Sequence, residues 1–521
     1  MKPIDFFTAE RLDLIVKYLQ AKNYLSPVYN KEIESLYIRH IIMRTGGVEP
    51  VDCLTKTTEK SSVSDYLASF KNLVHDMKKN GFNPEWPIPV NRDNKMVNGA
   101  HRIATALALD IDDIPTQKVD ATFWPWDFNW FSENGFSTED KQRILKGFVD
   151  LHPEECSIFI VWHPCFSYIK QIKTVLLKYF DIVGDVNLDF EDNCIAFTNA
   201  LLEIYEYNIR NSDGDDTTIY EKAKLLFNDY LSFKVIVVSN QTKKTNTSIF
   251  EAAKMAKNDI RDLLNHTIPK KIFCTCHCSD CFTETKYLSN ILLSPNNIKY
   301  LKMRHRVCRD DIFISKIRNL SIFLPTIGIN STDDICVVRS GVMSALGILE
   351  DTDVDFITLS KYRKKFGSDS ISLPHKDYDI VALDQITISQ KPIPDDVLIS
   401  DSEFHWYFKG CKFLNIDIVK EQKQSLKKCN DAIHLRQIEL WEKMTGHIEQ
   451  QKILAERISQ EIDRRKTLQM PSLDCNTNQS KNYKYRLHIG KFDLFSKRKK
   501  DNKRIYRILG IKITIKKPAK K

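Results

Sequence analysis

Several things are missing from this 521-residue chain, and each absence narrows the field. There is no run of about 18 apolar residues, so no transmembrane helix is expected. The opening MKPIDFFTAERLDL carries no apolar signal-peptide core, which leads us to expect a cytoplasmic protein. Thirteen cysteines are an odd and scattered set, so reduced buried thiols are expected rather than a disulfide framework. No pair of CxxC knuckles separated by a long loop occurs. Cys274, Cys276, Cys278 and Cys281, with His277, crowd into eight residues, too close for the usual tetrahedral zinc site. In KIFCTCHC the period-two pattern puts Cys274, Cys276 and Cys278 on one strand face and Thr275 and His277 on the other, so the thiols read as small apolar strand residues. A helix-turn-helix pattern is absent, and no aromatic stacking platform accompanies the basic residues.

What is present is ample core material. With 42% hydrophobic and 10% aromatic residues the chain can bury several cores, and its length suits two to four domains. The formal charge of +9 is unevenly spread. Residues 481–521 hold sixteen Lys/Arg and two Asp, a net +14, so the other 480 residues carry 9 − 14 = −5. A slightly acidic body is thus joined to a strongly basic segment.

Read in order, residues 1–80 are expected to be helical, since FFTAERLDLIVKYLQAK and VSDYLASFKNLVHDMKKNG repeat apolar residues at three- and four-residue spacing. Gly81 and the prolines at 84, 87 and 89 break this pattern. Residues 88–119 then predict a strand, a turn at Asp93-Asn94, a short strand, a helix from Ala100 and a strand after Pro115. Gly99 stands where strand gives way to helix, and that handover aims helix N–H groups and Arg102 at an anion, most simply phosphate. VNGAHRIATALAL, with Gly99, His101 and Arg102 ahead of alternate alanines, resembles the ParB/sulfiredoxin-like superfamily. That resemblance covers about 35 residues and implies ATP or CTP binding through the turn. Sulfiredoxins carry a catalytic Cys where this chain has Ala100, so that activity is not implied.

The aromatic-rich stretch from 121 closes the first domain at about 154. Residues 155–330 alternate strand and helix patterns and predict an α/β unit with a mixed or parallel sheet. His163 and His277 fall at strand ends, with a structural role the simpler reading.

Residues 335–359, ICVVRSGVMSALGILEDTDVDFITL, form the stretch on which the functional reading turns. They predict a buried strand, a small-residue turn at Ser340-Gly341, a short helix and a second strand. Asp353 and Asp355 lie two residues apart, on one face of that strand, and two such carboxylates call for a cation between them. The order strand, Gly/Ser turn, helix, D-x-D strand resembles the DNA polymerase β-type nucleotidyltransferases. The resemblance implies magnesium held by Asp353 and Asp355, triphosphate held by Ser340 and Gly341, and a third carboxylate for which Asp377 and Asp379 compete. Asp377 is taken as the tentative third ligand. The family usually shows Gly-Ser; here the order is Ser340-Gly341, after Arg339. Downstream, WYFKGCKFL predicts a hairpin at Lys409-Gly410. Lys423, Lys427, Asp431 and His434 then fit one continuous helix face.

The expected fold is therefore a multidomain α/β (α+β) chain. Its parts are a helical segment (1–80), a ParB/sulfiredoxin-like domain (81–154), an α/β domain (155–330), a nucleotidyltransferase-like domain (331–440), a long charged helix (441–470) and a linker with the basic tail (471–521). The tail motifs YRLHIGKFDLF and IYRILGIKITIKK resemble those ending bacterial capsule and lipopolysaccharide glycan enzymes. Together these imply a magnesium- and nucleotide-dependent nucleotidyl- or phosphoryltransferase acting on a sugar or polyol acceptor, drawn to an anionic membrane through residues 481–521. Nucleic acid is the competing partner for the basic tail. The alternatives are a ParB-like nucleotide-switched DNA-binding protein and a toxin-type nucleotidyltransferase that modifies tRNA or protein.

Overall fold

The computed structural model describes residues 1–49, 60–191, 193–210, 217–226, 231–265, 275–303, 311–350, 353–366, 371–372, 378–381, 387–388, 391–426 and 430–444, and beyond them the strands at 485–489, 492–500, 503–508 and 511–516. The architecture is mixed α/β with several small sheets. It divides into two compact units, Met1–Thr445 and Gly446–Lys521.

The first unit begins with three helices, α1 (Asp13–Leu25), α2 (Lys31–Thr45) and α3 (Val63–Asn80). Asn30 and Ser62 cap the second and third by accepting from backbone N–H groups of the first turn. Both sequence-predicted helical stretches are present. The strand–turn–strand–helix–strand pattern also stands as read: β1 (Ile88–Val90), a turn with Asn94 at φ 62°, a bridge from Met96 back to Val90, α4 (Ala100–Ala108) and β2 (Thr116–Lys118). β1 and β2 pair in parallel on either side of the α4 crossover.

The middle sheet has the order β4 (Asp181–Asp189), β5 (Ser232–Ser239), β3 (Cys156–Trp162), β6 (Cys276–Cys278). Every pairing in it is antiparallel, contrary to the mixed or parallel sheet expected. The reason is topological. β3 and β4 do run parallel and are joined by the helix Ile169–Tyr179, but β5 inserts between them, making a split β-α-β unit. Alternation along a strand reports only that both its faces are covered, not the direction of its neighbours. Both faces are indeed buried: Ile158, Ile160 and Trp162 point into one hydrophobic cluster, Phe159 and Val161 into another. The first of these clusters is shared with α1, α2, α3 and α4, so the N-terminal helices rest on this sheet. Cys276 and Cys278 lie in the second cluster, and burial pushes their thiols up, Cys278 to about 12. Their reading as small apolar strand residues stands; Cys274 lies outside the described residues.

A six-stranded sheet follows, ordered β13 (His405–Phe408), β14 (Cys411–Leu414), β7 (Ile335–Val337), β8 (Val354–Thr358), β10 (Tyr378–Ile380), β9 (Ile371–Ser372). A two-stranded ribbon, β11 (Thr387–Ile388) with β12 (Lys391–Pro392), stands apart from it. The predicted hairpin turn is where the sequence put it: Lys409 and Gly410 both take positive φ, 48° and 71°, as a tight two-residue turn requires. This hairpin is tied to the rest of the unit through Glu206, a fully buried carboxylate. Glu206 accepts from Arg318 Nε and Nη2, each at 2.8 Å, and pairs with Lys409 Nζ at 3.1 Å. The expected single helix face from Lys423 to His434 is instead split between a helix at Ile416–Leu426 and another at 431–444, with Asn430 outside both. Lys423 still reaches Asp431 (3.2 Å) and His434 (2.9 Å), across a helix–helix corner rather than along a face; Lys427 lies outside the described residues.

The second unit contains a four-stranded antiparallel meander, β15 (Tyr485–Ile489), β16 (Phe492–Lys500), β17 (Lys503–Ile508) and β18 (Ile511–Lys516), in sequential order.

Candidate functional site

The site best formed by this fold surrounds the start of α4. Gly99 is the residue before the helix and sits at φ 93°, a conformation that side chains disfavour. The space also demands glycine, since an added Cβ would approach Ile88 Cδ1 to 2.7 Å. No side chain caps α4, so the positive end of the helix is left to whatever occupies the hollow before it.

That hollow is a cavity of about 290 Å³ lined by the 96–102 segment together with Arg11, Arg44, Glu49, Lys60, Trp124 and Trp126. Among the described residues that line it, four cations, Arg11, Arg44, Lys60 and Arg102, face one carboxylate, Glu49, which pairs with Lys60 at 3.0 Å. Net positive charge in a partly enclosed space selects an anion. Arg44 lies over the Trp126 ring at 5.3 Å, while Trp124 is 70% exposed at the rim and offers an indole face to a planar group.

Beneath the cavity the charges are held rigidly. Arg11 is only 6% exposed and grips Asp13 with two parallel hydrogen bonds, Nε–Oδ1 at 2.8 Å and Nη2–Oδ2 at 2.9 Å, while Nη1 donates to the Met96 carbonyl. Asp13 and Lys17 are fully buried and bonded at 2.7 Å. Burial pushes the Asp13 carboxyl up, but Arg11 and Lys17 more than offset this and hold it well below the usual range. Burial lowers Lys17 to about 8, against the pull of Asp13. His40 and His101 are both driven well below the ordinary histidine value, chiefly by burial and then by nearby Lys17. Each is therefore a neutral imidazole at pH 7, and His101 is oriented by a 3.0 Å hydrogen bond between its Nε2 and the Tyr37 hydroxyl. Arg102 donates to the Trp86 carbonyl, which ties it to the segment before β1.

Gly99, His101 and Arg102 are thus brought together as the sequence predicted. The other charged and aromatic residues of the cavity were missed. They come from the turn before α1, from α2, the segments flanking 50–59 and the loop after β2, with no shared motif. The only signal for any of them was the aromatic density of TFWPWDF.

The second predicted site is built on β7, β8 and β10. Ser340 and Gly341 begin a six-residue helix right after β7, as expected, and a Cβ on Gly341 would meet Val337 Cγ1 at 2.8 Å. Asp353 is exposed just before β8, and Asp355 is half-buried within it. Asp377 lies outside the described residues. Asp379, the other candidate, is the parallel-strand partner of Asp355, so those two carboxylates stand on adjacent strands in register. Burial raises the Asp355 carboxyl, Arg339 pulls it back, and the charges of Asp379 and Asp353 push it up again. Arg339 bonds Asp355 at 3.3 Å from a backbone with φ 55° and ψ −130°, a strained geometry for any residue but glycine. Like charges that raise one another are suited to a hard divalent cation, so the donor chemistry fits magnesium. In the arrangement seen, the compensating positive charge is the Arg339 guanidinium. Among the described residues no three His, Cys, Asp or Glu side chains are gathered closely enough to share a metal ion.

Elsewhere, His277 bonds Glu284 at 3.2 Å and packs edge-on to Tyr205, while His163 begins the turn after β3 and packs against Phe166. His163 sits at a strand end as read, whereas His277 is the central residue of β6, paired with Ile160. Among the described residues no helix is long and apolar enough to cross a membrane. Comparison with protein-family models, with curated proteins and with solved structures finds no match to this chain.

Proposed function

We propose that this chain binds a nucleoside triphosphate, ATP or CTP, in the Gly99–Arg102 cavity and transfers a phosphoryl or nucleotidyl group from it to a sugar-related or polyol acceptor, in the assembly of a bacterial surface polysaccharide. The observation that carries the reading is the cavity itself: an uncapped helix start at a left-handed glycine, four cations against one carboxylate among the described residues, and an exposed indole at the rim. Phosphates take the helix N–H groups and the guanidinium groups of Arg11 and Arg102. The base takes the face of Trp124. Arg11, clamped by Asp13, enters the complex already ordered, so little side-chain entropy is lost on binding.

Asp353 and Asp355 are the residues that would hold magnesium, with Ser340 and Gly341 for phosphate and Asp379 facing Asp355 from the adjacent strand. Bound there, the ion would neutralise phosphate oxygens as charge builds on the leaving group. Arg339 is the residue that must release Asp355 for this to occur, which makes its strained turn the mobile part of the proposal. The polysaccharide acceptor rests on the tail motifs alone.

Incubating the full chain with α- and γ-labelled ATP and CTP, magnesium and a panel of sugar phosphates and polyols tests the activity. Label passing from the γ position to an acceptor supports phosphoryl transfer, and label from the α position supports nucleotidyl transfer. Label that stays on nucleotide with every acceptor, under conditions where the nucleotide binds, overturns the transferase reading and leaves a binding protein.

A further inference from the structure

At the start of α4, side chains from two other helices close on one imidazole. Tyr37 of α2 is fully buried, with its ring 5.3 Å from that of Phe70 of α3. Both rings pack edge-on to His101, Phe70 at 4.6 Å and Tyr37 at 5.9 Å. His101 itself is partly exposed and lines the cavity. The Tyr37 hydroxyl lies 3.0 Å from His101 Nε2, and either atom could supply the proton. The surroundings decide which does. Among the described residues the hydroxyl bonds nothing but Nε2. A phenol that accepted from an Nε2–H would leave its own proton buried and unbonded, and an unmet buried donor costs more than one such bond returns. The hydroxyl therefore donates to Nε2. The ring is neutral, because burial and the charges of Lys17, Arg44 and Lys60 outweigh the pull of Asp13. Its one proton then sits on Nδ1.

We infer that Tyr37 is a positioning residue of the cavity: its hydroxyl fixes His101 as the Nδ1–H tautomer, so that the imidazole meets a phosphate oxygen as an uncharged donor, a role that rests on the cavity being the anion site proposed above. Among the described residues Nδ1 has no partner, so its N–H is left for the ligand. The opposite tautomer would turn a lone pair toward the same oxygen and repel it. Beside Arg11, Arg44, Lys60 and Arg102, which attract any anion, the ring adds one donor of fixed direction without adding charge. It is also not the general base of the transfer, because Nε2 is taken by the Tyr37 proton and Nδ1 carries its own. Removing the hydroxyl lets the proton move to Nε2. Part of the protein then starts in the wrong tautomer, and the apparent affinity falls with the fraction that remains competent.

The tautomer and the anion are followed separately. In the full chain with nitrogen-labelled histidine, the His101 ring signals are those lost in His101→Leu. Long-range proton–nitrogen spectra of the ligand-free protein near neutral pH should show Nδ1 protonated and Nε2 bare. Tyr37→Phe, which keeps the ring packing, should shift the proton toward Nε2. Calorimetric titration with inorganic tripolyphosphate should show Tyr37→Phe binding roughly threefold to tenfold more weakly than the parent protein, the worth of one net hydrogen bond. In the His101→Leu background the same change should have no further effect, since the tyrosine acts through that ring. An Nε2–H tautomer or an imidazolium in the parent protein overturns the inference. So does an equal loss in both backgrounds, or no loss in either, and in each case tripolyphosphate binding by the parent protein leaves the cavity reading standing. Failure of the parent protein to bind tripolyphosphate overturns the cavity reading, and the tyrosine's role toward an anion with it.

Discussion

At Gly99 and at Ser340-Gly341 the chain makes the same local move: a strand ends, a glycine-bearing turn follows and a helix begins. The surroundings differ. Around Gly99, elements distant in sequence converge, and among the described residues they bring more positive than negative charge to offer an anion. Around Ser340, the acidic strand that follows is answered from within the turn, by Arg339 on Asp355. A short motif therefore fixes where a phosphate could be received. Whether the protein has left charge available for it is decided by residues the motif does not contain.

The comparison can be broken most severely at its base. Asp13→Asn should leave Arg11 and Lys17 as buried cations without their carboxylate, at a cost of about 3–5 kcal/mol in urea unfolding of the full chain. Loss of less than about 1 kcal/mol would mean that the buried triad is not the support of the cavity. Next in size, Arg102→Ala should weaken triphosphate binding by roughly 1.5–3 kcal/mol, as for a charge-assisted hydrogen bond, and leave any magnesium dependence at the carboxylates in place. A change in melting temperature without a change in affinity would make that arginine structural.

A similar or smaller loss is expected from Gly99→Ala. The substitution forces a Cβ into φ 93° and against Ile88, costing about 1–3 kcal/mol, and should tilt the first turn of α4 away from the anion. A matched Gly135→Ala at φ 71°, where nothing crowds the added carbon, separates strain from clash. Lys17 supplies a pH test. Its folded-state value is depressed to about 8 from 10.5, so the unfolded chain binds the proton more tightly over that interval. Stability should therefore rise with pH between about 8 and 10.5, and Lys17→Met should remove that slope.

The smallest effect is expected at the second site. Asp355 is raised above its ordinary 3.8, so protonation favours the folded state, and stability should fall as pH rises from 3.8 through its raised value. Asp355→Asn should abolish that component, change stability little near neutrality because Arg339 is part-exposed, and remove any magnesium-induced shift in melting. An unchanged magnesium response would dissociate that carboxylate from metal binding.

Much of the local structure was legible from the residues. The period-two and period-3.6 patterns, the Gly and Pro breaks and the two glycine turns placed α1, α3, α4, β1, β2, β7, β8 and the Lys409-Gly410 hairpin where they stand. The middle sheet was misjudged because insertion of β5 between β3 and β4 is a long-range event that no local pattern encodes. The cavity was half legible for the same reason. Gly99, His101 and Arg102 share a turn and could be read together, whereas Arg11, Arg44, Lys60 and Trp124 meet only once α1, α2 and the loop after β2 have packed. The choice between Asp377 and Asp379 likewise needed strand register, which aligns Asp379 with Asp355.

The most direct measurement is calorimetric titration of ATP and CTP into the full chain, first with magnesium and then with EDTA, for the parent protein and for Arg11→Ala/Arg102→Ala. If the cavity is the nucleotide site, the parent protein binds at least one of the two, keeps measurable affinity in EDTA because arginine and lysine neutralise the phosphates, and loses it in the double variant while remaining folded. Absence of binding to the parent protein, or equal affinity in the double variant, would contradict the account at its centre.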